Sequence, residues 1–141
     1  MPEYTSIAPQ TVAAGQNVVF TESPVPCNRG YVNHREGSGV FTLRGITNQC
    51  RALYKVSFGG NIAVPTGGTV GAISLAIAIE GEGLGSATMI VTPAAVAEFF
   101  NVFGAVYISV PRGCCLSVSV KNVSTQAVDV SNANIIIERA A

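Results

Sequence analysis

This sequence is short of charge. Only 11% of its 141 residues are Asp, Glu, Lys or Arg, against about 25% in an ordinary soluble domain. The eight basic and eight acidic residues cancel. With neither a basic excess nor a basic run, nucleic-acid binding is excluded as an expected function. A surface this poor in charge usually has apolar area to cover, and contact with further copies of the chain is the expected cover. Long apolar runs are also missing. The most extended weakly polar stretch, residues 94–110, is broken by Glu98 and Asn101 and falls short of the ~20 residues a membrane helix needs. No membrane partner is therefore expected. The opening "MPEYTSIAPQ" has no basic n-region and no apolar h-region, so no cleaved secretory signal is read there. Asn122-Val123-Ser124 fits a glycosylation sequon, which has little meaning without a secretory route.

Repeats, heptads and linkers are absent too, and the length suits a single domain. What recurs is a period of two. In "AISLAIAIE" (72–80), Ile73, Leu75, Ile77 and Ile79 fall on one face, with Ala72, Ser74, Ala76 and Ala78 on the other. Strands alternate faces, whereas a helix would scatter the large residues around its circumference. The small face would let a loop or a neighbouring subunit approach closely. Tyr54, Val56 and Phe58 share a face in "RALYKVSFGGNIAV" (51–64), where Gly59-Gly60 suggests a bulge or bend. Ile108 and Val110 share one in "VYISV" (106–110). Leu116, Val118 and Val120 do so in "CLSVSVKN" (115–122). "VDVSNANIIIER" (128–139) reads as a last strand, and "QNVVF" (16–20) and "GVFTLRG" (39–45) as short early ones. Turn chemistry at Pro65–Gly68, Gly81–Gly83, Pro93 and Pro111–Gly113 separates the runs. "TPAAVAEFFNVF" (92–103) reads as a loop leading into a strand. Eight to ten strands with little helix predict an all-β sandwich or jelly roll.

Catalytic constellations are missing. The adjacent Cys114 and Cys115, with Cys27 and Cys50 far upstream, match no zinc spacing. Neighbours on a strand point to opposite faces, so Cys114 is expected in the core beside Leu116, as a small hydrophobe. Inert thiols are the expectation, with a disulfide to Cys27 or Cys50 as the alternative. His34 is the only histidine. It lies in a polar segment, and a solvated loop or an interface is its expected setting. Glu80 and Glu82 flank Gly81 at an expected hairpin tip. "GEGLGS" (81–86) lacks the lysine of a phosphate loop. The expectation is therefore no enzyme, no cofactor and no metal.

The order of the runs resembles the C1q/tumour-necrosis-factor superfamily, including the C-terminal domains of bacterial collagen-like spore-surface proteins. The resemblance lies in "FTLRG" (41–45), "ALYKVSF" (52–58), "VYISVPRGCCLSV" (106–118) and "ANIIIERAA" (133–141). Ala52 stands where that pattern has a glycine, and Cys114 where it has an acid. The resemblance implies a jelly-roll sandwich of about ten antiparallel strands that assembles as a homotrimer. Phe41, Tyr54, Val56, Phe58, Ile108, Val110, Leu116 and Val118 would be core. Phe103, Tyr107, Asn134 and Ile136 become candidates for the trimer interface. The alternative stays open that Phe99, Phe100, Phe103 and Tyr107 merely fill the core.

The whole chain is also similar to small proteins encoded among the virion genes of phages and prophages of gut Gram-positive bacteria. That similarity implies a capsid accessory protein, a head fibre or decoration, assembled in the host cytoplasm and displayed on the virion surface. Residues 1–15 would be an arm gripping a capsid or other virion protein, and residues 16–141 the jelly-roll domain. A bacterial cell-surface glycan is a further possible partner. The alternative setting is a bacterial cell or spore surface, with the same fold serving as an adhesion module.

Overall fold

A computed structural model describes residues 2–27 and 30–140. Among them there are eleven strands and no helix. The strands are β1 (Glu3–Ser6), β2 (Gln10–Val12), β3 (Glu22–Val25), β4 (Val32–His34), β5 (Val40–Arg44) and β6 (Arg51–Ala63). They continue with β7 (Ile73–Ile79), β8 (Glu82–Val91), β9 (Phe100–Pro111), β10 (Cys115–Asn122) and β11 (Val128–Arg139). One sheet runs β3-β1-β11-β6-β9, with β2 also paired to β11. The other runs β4-β5-β10-β7-β8. Every pairing is antiparallel.

Period-two alternation places the core. Along β6, Ala52, Tyr54, Val56, Phe58 and Ile62 are fully buried, while Lys55, Ser57 and Asn61 between them are only half-buried. Ile73, Leu75 and Ile77 from β7 and Phe41 and Leu43 from β5 meet them from the second sheet in one continuous cluster. Phe20 joins it edge-on to Phe41 and Phe58. The small face of β7 is covered from within the chain. Ala76 and Ala78 are buried, and the backbone at Gly83 lies against Ala76 and Val123.

Several local expectations are corrected. Much of the expected arm is built into the first sheet: β1 pairs with β11 from Glu3↔Ile136 to Ser6↔Ala133, and β2 pairs with it further along. Tyr4 is buried, which ties this segment to the core. Residues 16–20 form no strand. They make single bridges, Asn17↔Lys121 to β10 and Phe20↔Ser38 to the β4–β5 connection, and bury Val18 and Phe20 as a crossing connection. The bulge expected at Gly59-Gly60 lies instead in the neighbouring strand. Pairing of β6 with β9 runs unbroken through both glycines, whereas β11 shifts register between Ser131 and Asn134. Asn132 there adopts a positive φ of 52°, a conformation asparagine tolerates better than most residues.

The loop ends depend on close backbone approach. A Cβ on Gly45 would lie 2.1 Å from the Pro111 carbonyl oxygen, so the β5–β6 connection and the β9–β10 turn touch only because residue 45 has no side chain. At the other end Asn122 is fully buried. Its Nδ2 donates to the Val12 and Gln126 carbonyls, both at 2.9 Å, and its Oδ1 accepts from the Ser124 amide at 3.0 Å and from the Ser124 hydroxyl. That burial leaves the sequon without an accessible acceptor in the folded chain. Asn122→Ala strands the buried Val12 carbonyl and the half-buried Gln126 carbonyl and Ser124 amide, so it is expected to cost about 2–3 kcal/mol. Urea unfolding of both proteins checks this, and an unchanged midpoint contradicts the role assigned to Asn122.

Candidate functional site

The outer face of the first sheet presents an unusual surface. Residues of odd number on β6 and β9, and of even number on β11 beyond its bulge, point away from the core. In one row across the sheet, Phe103, Gly59, Asn134 and Thr5 stand side by side. In the next come Ala105, Ser57, Ile136 and Glu3. Tyr107, Lys55 and Glu138 form a third. Phe103 is 67% exposed and Tyr107 61%, and the small Ala105, Ser57 and Gly59 lie next to them on β9 and β6. Two large rings thus flank a floor of small residues. Gly59 makes this possible: a Cβ there would sit 3.0 Å from Asn134 Oδ1 and 3.8 Å from the Phe103 ring.

Several polar groups on this face are tied to one another. Asn134 Nδ2 donates to Glu3 Oε2 at 3.2 Å. Asn101 Nδ2 donates to Asn61 Oδ1 at 3.2 Å, and Asn61 Nδ2 to Asn132 Oδ1 at 3.4 Å, making an amide ladder across three strands. The side of the sandwich next to this face is also apolar. Strands β9 and β8 are the edge strands of their sheets. Ile90 on β8 is 67% exposed, and Val96, Phe99 and Phe100 are exposed on the approach to β9. A twelve-residue edge strand bordered by exposed aromatics is a strong template for a second chain.

Phe99, Phe100, Phe103 and Tyr107 therefore do not fill the core. The four trimer-interface candidates share the outer face, with Asn134 and Ile136 half-buried on β11 two strands from Phe103 and Tyr107. Of the core markers, Phe41, Tyr54, Val56, Phe58, Ile108, Val110 and Val118 are buried, and Leu116 is partly buried against the cluster. Cys114 is exposed rather than buried. The turn closed by its amide on the Pro111 carbonyl, at 3.0 Å, holds it outside β10. Cys50 and Cys115 are likewise exposed, and Cys27 is half-buried against the core. His34 is not a solvated loop residue. Its ring stacks on Phe41 with centroids 4.2 Å apart and lies 4.7 Å from that of Tyr4, and Nε2 bonds the Ser38 carbonyl at 2.9 Å. Among the described residues, no three His, Cys, Asp or Glu side chains are grouped to hold a metal ion.

The amide ladder and a cluster at one end were not read from the sequence. In that cluster Tyr54 Oη donates to the Arg44 carbonyl at 2.5 Å and lies 3.2 Å from the Tyr31 carbonyl. The Arg139 guanidinium lies over both the Tyr31 and Tyr54 rings, 4.7 and 5.4 Å from their centroids. Parity alone could have aligned Asn61 with Asn101. The joining of Tyr54 to residues 31, 44 and 139 has no local signal.

No family model matches the chain, and no curated protein matches it in sequence. Solved structures do match across its length. Eiger TNF from S. frugiperda superposes with a TM-score of 0.73 at 11% identity, covering 99% of this chain and 91% of that one. The globular domain of zebrafish complement 1qA gives 0.64 at 13% identity over 96% and 94%, and murine APRIL 0.56 at 10% over 95% of both. The fold is that of C1q and tumour necrosis factor. Eleven strands build this C1q/TNF-like sandwich where about ten were expected, the short β2 and β3 having little apolar alternation to announce them.

Within the C1q/TNF-like frame, Tyr54 fixes the loop end to the core. Burial raises its pKa above the usual 10.0, and the nearby Arg139 charge only partly opposes this. A phenol whose folded pKa is raised stabilises the fold fully below the unfolded value, and that contribution is lost as pH climbs through the folded one. Stability is therefore expected to fall above about pH 10. Tyr54→Phe is expected to cost about 1–2 kcal/mol at neutral pH and to flatten the alkaline loss, leaving the part due to Tyr4, whose pKa burial also raises. Urea midpoints across the alkaline range check both, and an equally steep decline in the variant removes Tyr54 from the account.

Proposed function

We propose that this chain is a non-enzymatic, homotrimeric C1q/TNF-like module that serves as a capsid accessory protein, a head fibre or decoration, on a virion surface. Adhesion to the host surface is part of that role. The observation that carries the assembly is the row of exposed rings on an open edge strand: Phe103 and Tyr107 over a floor of small residues, continued by Phe99, Phe100 and Ile90. Leaving that surface in water is unfavourable by roughly 25 cal/mol for each Å² of apolar area. Obligate interfaces, which bury about 2,000–5,000 Å², are built from such surfaces. Low overall charge supports the same reading, because charge is depleted at interface cores. The virion setting rests on the resemblance read from the sequence alone. Attachment through a free N-terminal arm is not part of the proposal, since β1 and β2 are committed to the sheet.

Light scattering on the purified protein is expected to give about three times the 14.5 kDa chain mass. Phe103→Glu combined with Tyr107→Glu places two charges on the buried seam and is expected to yield a folded monomer with unchanged circular dichroism. A wild-type monomer at micromolar concentration rules out the trimer. Mass spectrometry of purified phage particles tests the setting. Recovery of the chain from bacterial envelopes or spore coats, and not from virions, replaces it with the surface-adhesion alternative.

A further inference from the structure

The edge of the second sheet farthest from β8 is the hairpin of β4 and β5. Its connecting loop is pinned from several directions. The Ser38 amide donates to the Arg35 carbonyl at 2.9 Å and closes the turn, with Gly37 at a positive φ of 83°. The Gly37 amide donates to the Phe20 carbonyl at 2.9 Å, and the Phe20 amide to the Ser38 carbonyl at 3.2 Å. His34 Nε2 donates to that same carbonyl at 2.9 Å, and its ring is stacked on Phe41. Phe20 and Phe41 are fully buried, so the loop is fixed to the core through them.

An open cavity of about 520 Å³ lies on this hairpin, lined by Asn33, His34, Arg35, Ser38, Val40 and Thr42. That volume is within the range of small-ligand sites, about 300–1,000 Å³. Its polar walls hold donors that the fold does not use. The exposed Asn33 amide group, the exposed Arg35 guanidinium and the Thr42 hydroxyl bond no side chain or backbone group among the described residues. Asn33 and Thr42 are cross-strand partners, so their side chains stand side by side. Ser38 Oγ accepts from the Val40 amide at 3.1 Å, which leaves its proton to donate. Val40, 40% exposed, adds an apolar surface. Arg35 is the one cation on the cavity wall, and Glu36, next in the chain, does not line it.

We infer that this cavity binds a sugar acid. Its carboxylate meets Arg35, whose guanidinium presents paired N–H donors of matching geometry. Its hydroxyls meet Asn33, Ser38 and Thr42, groups that both donate and accept as sugar hydroxyls require. The C–H face of its ring lies on Val40. One cation balances one carboxylate, whereas a doubly charged phosphate ester would bring a surplus negative charge close to Glu36. The cavity lies on the second sheet and the exposed rings on the first, so assembly through those rings leaves it open. The inference rests on the adhesion half of the proposed function and gives it a ligand class, but every residue it uses belongs to one protomer.

Chemical-shift titration of the ¹⁵N-labelled protein tests it with three probes: glucuronate, glucose and glucose 6-phosphate. Glucuronate is expected to shift the amides of residues 33–42 saturably, with affinity falling as salt rises. Glucose is expected to bind about tenfold more weakly, for want of the charged contact, and glucose 6-phosphate no more tightly than glucuronate. Arg35→Gln, a change at an exposed side chain, is expected to weaken glucuronate about tenfold, and Thr42→Val to act in the same direction. Arg112→Gln, on the turn at the other end of the sandwich, is expected to leave binding unchanged. Absence of saturable shifts with glucuronate, equal binding of glucose, tighter binding of the phosphate, or wild-type affinity in Arg35→Gln overturns the inference. The Phe103→Glu, Tyr107→Glu monomer is expected to bind as the wild type does. A trimer that ignores glucuronate therefore removes the cavity and keeps the assembly, and a wild-type monomer that binds it does the reverse.

Discussion

The phase of β6 is the constraint on which the rest of the molecule depends. This thirteen-residue strand is paired on both sides, to β9 from Arg51 to Ile62 and to β11 from Tyr54 to Ala63. Because successive side chains alternate, its register decides at once which residues of three strands enter the core. With Tyr54, Val56, Phe58 and Ile62 inward, Ile108 and Val110 follow from β9, and Ile135 and Ile137 from β11. The same choice sends Phe103 and Tyr107 outward. A slip of one residue would exchange the two sets, so core and outer surface are two sides of one decision. Tyr54 holds that phase at one end by tying its hydroxyl to the connecting segments.

The same phase decides where the aromatic rings go. Inward, Phe20 packs edge-on against Phe41 and Phe58. The outward rings lie beside the small Gly59 and Ser57, with side-chain amides near them bonded to one another and to Glu3. Amides already bonded within the surface lose little when it leaves water, because they are not stranded.

Strands were legible where large residues alternate, and others were not: the ten-residue β8, glycine-rich and exposed over its first half, went unread, and β9 was read only over 106–110. The limits of β10 and β11 follow directly from alternation, because twelve or eight alternating residues leave one reading. β1 and β2 carry four and three residues, several of them polar, and their identity as strands comes from the β11 edge they complete. Residues 16–20 erred in the other direction: Val18 and Phe20 are as buried as strand residues, but the segment crosses the core instead of joining a ladder. The bulge was placed on the wrong strand because glycine is only one of the signals for it. Here the extra residue is Asn132, and the glycines opposite allow Ala133 and Asn134 to come close. Of the outer surface, sequence parity could pair Phe103 with Tyr107, but it could not tell outward from inward. The cluster around Tyr54 was hidden more completely, since its members come from four separate parts of the chain.

The position of β11 between β1 and β6 has a consequence for how the molecule is made. On the ribosome β1 emerges well before β11, which with β3 makes up its two partners. Until then β1 has β3 alone to pair with, and one flank of β6 is unpaired. Acquisition of the native state is thus a late, concerted event dominated by contacts distant in sequence, which is slow. Nascent chains crowded on one messenger would meet each other with those flanks bare.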